Sequence, residues 1–240
     1  MQMPYDDLSA LTGAWKGVAA RLVGSAALPH AESVLSAAER ARRDGFGAAD
    51  RRRHFALGRL AARTLAGERL GVPPGAVPLG VAADGAVEVE GADLHLSISH
   101  GGGGAAAVGL AAIGPRPVGV DVEPIRARRA DLWTRILRPD ERPALDALGG
   151  PSDESQTLLW SLKEAVLKGQ RTGLRAGARS VRLELGDGAD LSSGVASAQA
   201  DASGRWALRY ARRGDLWVVV TVLRAASPHP VPLPRGEGAT

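Results

Sequence analysis

Residues 119–123 read GVDVE, an alternation typical of a β-strand. Val120 and Val122 point to one side of such a strand, so Asp121 and Glu123 share the other side, about 6–7 Å apart. Two carboxylates at that spacing can hold a hard cation such as Mg²⁺, which prefers oxygen ligands. Taken alone, the same pattern fits a strand face turned to solvent. Pro124 ends the strand and places the pair at a rim that a ligand can reach.

A second segment, residues 160–168, reads WSLKEAVLK and predicts an amphipathic helix. Trp160, Glu164 and Lys168 are four residues apart and share one helical face. An ordinary surface ion pair between Glu164 and Lys168, worth about 0.2–0.5 kcal/mol, accounts for that spacing. Lysine is rare in this arginine-rich chain, however, and two lysines next to one glutamate indicate that a compact charge is needed there. The three lysines are Lys16, Lys163 and Lys168.

A third segment, residues 94–101, reads LHLSISHG and predicts a strand that ends at four glycines, 101–104. Ser99 and His100 lie at its end, where small residues and backbone N–H groups can receive a phosphate. A hairpin turn with an incidental histidine fits the same residues. A Rossmann dinucleotide site does not, because the glycines lead into another strand, AAAVGLAA, and not into a helix.

The pattern of the remaining chain predicts an α+β protein. Helices are predicted for residues 37–44, 50–71 and 131–170, the last with a stop at GGPS and a new start near Ser152 or Asp153. Strands are predicted within 76–123 and over 180–185, 206–210 and 216–223. Because both halves place a long helix before strands, we expect two similar pseudo-symmetric α/β subdomains with the active site at their interface. The expected boundaries are 1–114, 115–225 and a disordered tail over 226–240.

Composition limits the class of protein. The chain has 240 residues, 45% of them hydrophobic, and no apolar run long enough for a membrane span. The early acidic N-terminus lacks the order of a signal peptide, and the absence of cysteine excludes disulfides and thiolate metal sites. We therefore expect a cytoplasmic monomer without a membrane partner. A net charge of +4 and a pI of about 10.1 favour an acidic ligand or partner.

The order of these three segments resembles the 4′-phosphopantetheinyl transferase superfamily, in particular its surfactin-synthetase type. That family has a Phe-Asn-(Leu/Ile)-Ser-His strand end, a Gly-(Val/Ile)-Asp-(Val/Ile)-Glu strand and a Trp-(Ser/Thr)-x-Lys-Glu-(Ala/Ser)-x-x-Lys helix. The last two motifs are matched at every defining position, and the resemblance extends from about Leu35 to Leu223. It implies an enzyme that uses Mg²⁺ to transfer the phosphopantetheine arm of coenzyme A to a serine of an acyl or peptidyl carrier protein, releasing adenosine 3′,5′-bisphosphate.

The resemblance also implies roles for individual residues. Asp121, Glu123 and Glu164 resemble the metal ligands, with Glu164 also the candidate general base and Lys168 the residue that stabilises charge on the phosphate. Four residues fall at positions expected to contact coenzyme A: Arg42, Arg53, Ser99 and His100. The arginines after the metal strand are a candidate docking face for an acidic carrier, although a plain solvated face fits them equally. They are Arg126, Arg128, Arg129, Arg135, Arg138 and Arg142.

Departures from the family pattern lie on the coenzyme A side. Ala86 and Val87 replace the lysine and proline of a Gly-Lys-Pro turn, so one phosphate contact is lost or supplied from elsewhere. Ser97 replaces the asparagine, and Gly101, in a glycine run expected to be flexible, replaces a serine or glutamine. These changes leave open a degenerate relative that binds coenzyme A or a carrier without turnover. A basic nucleic-acid-binding protein is the third interpretation, and the 4% aromatic content counts against it.

Overall fold

A computed structural model of the chain describes residues 5–172, 177–200 and 204–224; the predicted disordered tail, 226–240, lies outside these ranges. The described strands form two antiparallel sheets and one small hairpin. In spatial order the first sheet contains β1 (Tyr5–Asp7), β2 (Ala19–Gly24), β6 (Val108–Gly114) and β5 (His95–Gly101). The second contains β7 (Val118–Pro124), β11 (Leu216–Leu223), β10 (Gly204–Arg213), β9 (Ser193–Ala200) and β8 (Val181–Leu185). The hairpin joins β3 (Leu79–Val81) and β4 (Val87–Val89).

Two long helices dominate the helical part of the fold. The helices are α1 (Ser9–Thr12), α2 (Leu28–Val34), α3 (Ala37–Asp44), α4 (Ala49–Leu70), α5 (Ala130–Ile136), α6 (Arg142–Ala147) and α7 (Asp153–Gly169). Helix α4 packs on the first sheet and α7 on the second, because their apolar faces need burial against strands. The predicted α+β class is therefore confirmed. The sheets divide between β6 and β7; the proposed domain boundary at 114/115 stays a prediction.

Helix α7 starts where its sequence indicates. Ser152 caps it, since its Oγ accepts from the backbone N–H of Ser155 and the Ser155 hydroxyl bonds back to the backbone N–H of Ser152. The inner face of the helix is fully buried, with Leu158, Leu162 and Ala165 packed toward the second sheet. The cap and this face fix which side of α7 carries Trp160, Glu164 and Lys168.

Lys163 lies on a different side of α7 from Glu164 and is a structural residue. Its Nζ forms an ion pair of 2.8 Å with Glu141 and donates to the backbone carbonyls of Ala178 and Val181. Its side chain has no exposed surface, and this burial lowers the pKa of the amine while Glu141 opposes the shift. All three donors of the ammonium are used, so Lys163 fastens α7 to the segments beside it.

The two sheets meet where β5 faces β7. The hydroxyls of Ser97 and Ser99 each accept a hydrogen bond of 3.2 Å from a backbone N–H of β7, at Val120 and Val122. The serines point away from Leu96 and Ile98, as the alternation predicts, but both are buried. Apolar side chains complete the contact between the sheets: Leu22, Leu110, Val120, Val218 and Val220. The end of β5 is thus held against the strand that carries Asp121 and Glu123.

Three parts of the prediction need correction. Strand β9 was missed: its sequence, SGVASAQA, consists of small and polar residues with weak strand preference, and pairing with β8 and β10 forms it. Residues 131–170 contain three helices, two of them short. Residues 1–50 contain the additional helices α1 and α2. In β9 the pairing with its neighbours overrides local propensity. In residues 131–170, Pro139 interrupts the predicted helix.

Gly119 lets β7 approach α7 closely. A Cβ placed on Gly119 would lie 1.9 Å from the backbone carbonyl oxygen of Ala165, and one on Gly109 of β6 would lie 2.3 Å from the carbonyl carbon of Leu57 in α4. Each long helix therefore rests on a glycine of the strand beneath it. The glycine that begins the GVDVE motif is required for packing, because any side chain there would displace the helix that carries Glu164.

We expect Gly119→Ala to lower the free energy of unfolding by about 1–3 kcal/mol or more, since the added methyl group overlaps backbone atoms. Urea denaturation measures this change. Gly47→Ala is the matched control, because nothing lies within 4 Å of its added Cβ; its effect should stay within about 0.5 kcal/mol. Equal stability of the two variants would contradict the close contact.

Candidate active site

Asp121 is the centre of a buried polar cluster at the junction of the two sheets. Its Oδ1 accepts hydrogen bonds from Lys168 Nζ at 2.6 Å and Ser99 Oγ at 3.0 Å, and its Oδ2 accepts one from Ser161 Oγ at 2.7 Å. Only 2% of Asp121 is exposed. Lys168 thus makes an ion pair with β7, a contact that the surface-pair interpretation does not include. The cluster joins β5, β7 and α7 through side chains.

Ser99 connects Lys168 with Asp121. Its hydroxyl donates to Asp121 and accepts from Lys168 Nζ at 2.8 Å and from the backbone N–H of Val122. A hydroxyl has one donor and two acceptor sites, so its capacity is filled. A contact between Ser99 and a coenzyme A phosphate therefore stays a prediction and requires the exchange of one of these partners.

Glu123 is held on both carboxylate oxygens. Oε1 accepts a hydrogen bond of 3.2 Å from Trp160 Nε1, and Oε2 forms an ion pair of 2.7 Å with Arg128. Trp160 reaches Glu123 because it lies one helical turn before Glu164 on the face of α7 that is turned toward β7. The neighbouring arginine neutralises the carboxylate.

Glu164 is buried beside these groups, and its Oε1 is without a hydrogen-bond partner in the described part of the chain. Burial raises the pKa of its carboxyl group to about 7; Lys168 opposes this shift, while the charges of Asp121 and Glu123 add to it. A carboxyl group in this setting is stabilised by a proton or by a cation. Glu164 therefore has the chemical character of a proton acceptor or a metal ligand.

The donor set fits a hard divalent cation. All three predicted ligands offer carboxylate oxygens, and the unpartnered Glu164 Oε1 is an acceptor available to a cation. Within residues 5–172, 177–200 and 204–224, no group of three or more His, Asp or Glu side chains is gathered as a metal site in this arrangement. Asp121 and Glu123 are engaged with Lys168 and Arg128, so cation binding requires these partners to be exchanged.

A basic cavity of about 250 Å³ lies next to the cluster, between α4 and β5. Its lining includes Arg42, Arg51, His54, Arg59, Gly85, Val87, Ile98 and His100. A second cavity of about 340 Å³ shares Gly85, Val87 and Ile98 with it and is also lined by Lys168 and Arg171. The two adjoining cavities form a groove that runs from an arginine-rich end to Lys168, whose Nζ pairs with Asp121.

Besides Ser99, which lies in the Asp121 cluster, the predicted coenzyme A residues divide between two places. Arg42 and His100 line the basic cavity, whereas Arg53 pairs with Asp50 at 2.7 Å and lines a different groove beside Arg43. Three further residues of the basic cavity were not predicted from the sequence to contact coenzyme A: Arg51, His54 and Arg59. Arg51 and His54 had a readable signal, since they lie in the RRRH run that includes Arg53. Arg59 had no such signal in the sequence, because it falls on the buried side of α4.

The loops that depart from the family pattern are fastened to other elements. Arg171 contacts Asp84 at 2.9 Å and Glu88 at 3.6 Å, so a cation lies against the loop in which Ala86 replaces a lysine. A Cβ at Gly101 would lie 2.7 Å from the carbonyl oxygen of Val122, which explains why the close contact of β5 with β7 needs glycine there. Further along the glycine run, Gly104 N donates to Asp50.

His100 stacks on His54, with ring centroids 4.7 Å apart and an interplanar angle of 8°. Loss of hydration around the ring lowers the pKa of His100 to about 4, and the charges of His54 and Lys168 act in the same direction. An unfolded histidine has a pKa near 6.5. The unfolded chain therefore takes up this proton first as the pH falls.

We expect the stability contributed by neutral His100 to be full above about pH 6.5 and to be lost as the pH falls toward 4. His100→Gln should reduce the loss of unfolding free energy between pH 7 and pH 5, measured by urea denaturation. His30→Gln, which changes a histidine of α2 outside the basic cavity, is the control and should keep the wild-type dependence. An unchanged pH dependence in His100→Gln would contradict the lowered pKa.

Comparisons with known proteins agree with the predicted family. Residues 117–219 match the model of the 4′-phosphopantetheinyl transferase superfamily. A Bacillus subtilis protein described as a 4′-phosphopantetheinyl transferase is 28% identical over 139 residues, 57% of this chain, and the chain covers 60% of that relative. The surfactin-synthetase type stays a prediction. The family match spans β7 and α7, which carry Asp121, Glu123, Glu164 and Lys168, and it covers less than half of the chain.

Proposed function

We propose that this protein transfers the 4′-phosphopantetheine arm of coenzyme A to a serine of an acyl or peptidyl carrier protein. One observation carries the proposal: Lys168, which pairs with the buried carboxylate of Asp121, lines one end of a basic groove. The family match over the same strand and helix supports it. Arginines at one end suit the phosphates of a nucleotide, and the cluster at the other end suits phosphoryl transfer.

The reaction needs a base for the incoming hydroxyl. In the proposed step the serine Oγ forms a bond to the β-phosphorus of coenzyme A, and the bond from that phosphorus to the bridging oxygen breaks. The serine proton passes to a carboxylate oxygen of Glu164, and adenosine 3′,5′-bisphosphate leaves. Glu164 suits this role because it is buried and its Oε1 has no competing hydrogen-bond partner in the described residues.

The transferring phosphate also needs positive charge around it. Asp121, Glu123 and Glu164 would hold Mg²⁺, which when bound offsets negative charge on the pyrophosphate. Lys168 would donate to a phosphate oxygen from the same side, because Asp121 and Ser99 hold its ammonium at the groove. In-line positioning by such fixed cations is the main requirement of phosphoryl transfer.

Coenzyme A would lie along the groove with the 3′-phosphate of its nucleotide at the arginine-rich end. Arg42, Arg51 and Arg59 line that end together with His100, and a phosphate group beside His100 would favour the charged imidazole. Arg171, fastened to Asp84 and Glu88, is placed to supply the charge that Ala86 lacks. Arg53 has no part in this arrangement, since it lines a separate groove.

The carrier would approach over the segment after β7. Its arginines are exposed for the most part but are interleaved with carboxylates, as in the pairs Arg129–Asp131, Arg138–Asp140 and Arg142–Asp146. An acidic carrier helix could exchange with these weak surface pairs at small cost. The surface supports docking of an acidic partner without fixing which carrier is used.

Incubation of an apo carrier protein with this chain, coenzyme A and Mg²⁺ should add one phosphopantetheine group, detected by intact-protein mass spectrometry. A panel of acyl and peptidyl carriers should be tested, with a serine-to-alanine carrier as control. Glu164→Gln should lower the rate by about 10²–10⁴-fold, since the general base is removed. Coenzyme A binding without mass gain on any carrier would instead identify a binding protein without turnover.

Lys168→Met should lower kcat by about 10²–10³-fold, because one preorganised donor to the developing charge is lost. The assay is release of adenosine 3′,5′-bisphosphate with saturating carrier. Lys16→Met is the matched control, since Lys16 is exposed and lies outside the groove. If both variants lost activity equally, Lys168 would have no special role. Circular dichroism checks that the variants fold.

A further inference from the structure

Arg128 differs from the other arginines that follow β7. Its side chain is 14% exposed, against 87% for the adjacent Arg129, which pairs with Asp131 at the surface. Arg128 turns inward and places Nη2 2.7 Å from Oε2 of Glu123. It has no part in the mechanism proposed above, yet it contacts one of the three carboxylates assigned to the metal.

The ion pair between Arg128 and Glu123 is strong enough to affect the binding of a cation at Glu123. A guanidinium–carboxylate hydrogen bond is charge-assisted, and at a partly buried site it is screened less than a surface pair. Arg128 Nε is buried without a hydrogen-bond partner in the described part of the chain, so that atom gives the guanidinium no second anchor. The ion pair with Glu123 is a contact that helps to hold Arg128 in this position.

A guanidinium and a divalent cation on the same carboxylate oxygen repel each other, because both carry positive charge and both draw on its lone pairs. Trp160 differs in this respect, since its indole N–H is neutral and holds the other oxygen, Oε1. Trp160 can therefore orient Glu123 without opposing a cation. When a cation binds Oε2, Arg128 must either withdraw from that oxygen or share the carboxylate with the cation.

We propose that Arg128 sets the divalent-cation affinity of this site by competing with the cation for the Glu123 carboxylate. The inference rests on the proposed function, because it takes Asp121, Glu123 and Glu164 as the ligands. Arg128 is then a residue that weakens metal binding. The opposite role, an outer partner that orients a ligand, predicts a loss of about 10–100-fold in metal affinity when the partner is removed. The sign of the effect separates the two roles.

The test is Mn²⁺ binding to the full chain, measured through the electron paramagnetic resonance signal of free Mn²⁺. Arg128→Gln should tighten binding about fivefold to tenfold, the equivalent of one partly buried ion pair. Arg129→Gln removes the same charge one residue away and should change affinity less than twofold, because its distance and exposure leave only screened charge effects. Arg128→Lys keeps the charge and should lie between wild type and Arg128→Gln.

A double variant, Arg128→Gln with Glu123→Gln, should lose the gain, because the competition acts through Glu123. Weaker or unchanged Mn²⁺ binding in a folded Arg128→Gln protein would overturn the proposal, and so would an equal gain in Arg129→Gln. No Mn²⁺ binding by either wild type or Arg128→Gln would overturn it as well. Carrier modification, followed by mass spectrometry, decides the proposed function independently, since transfer can be detected whichever way the affinity changes.

Discussion

The ion pair between Asp121 Oδ1 and Lys168 Nζ organises the centre of this protein. Asp121 is buried, and a buried carboxylate needs a partner charge and filled hydrogen bonds to be tolerated. Ser99 and Ser161 supply those bonds from β5 and α7. The requirement for a satisfied carboxylate therefore draws together a strand of the first sheet, a strand of the second sheet and helix α7, which follows both in the chain.

The same network explains how the folded protein tolerates three carboxylates in one site. Three carboxylates in one cluster repel one another, and two protein cations, Lys168 and Arg128, are paired with two of them. The third, Glu164, lies beside them with one oxygen lacking a hydrogen bond in the described residues. Because Asp121 and Glu123 each pair with a cation and Glu164 does not, Glu164 responds more readily to protons and metal cations than the other two.

Much of the fold and of the proposed site was readable from the sequence. The alternation in GVDVE predicted a strand, and the Ser152 start and the helical spacing predicted α7; both were observed. The groups that partner these side chains were not readable. Arg128 reaches back over a turn to Glu123, and Arg59 faces the basic cavity from a helix side that the pattern marks as core. Such contacts depend on how elements pack, which residue spacing along one element does not encode.

Lys163 has a consequence beyond its role in packing. The chain has three lysines, and the ammonium of Lys163 is enclosed by Glu141 and two backbone carbonyls with no exposed surface. Lys16 is exposed, and 29% of the Lys168 side chain is accessible from the groove. Acylation of lysine side chains in the folded protein is therefore confined to two ε-amines, one of them at the candidate active site. The folded chain is therefore suited to site-selective chemical acylation. Protection of Lys168 by a bound ligand can then be measured on the peptide that contains it.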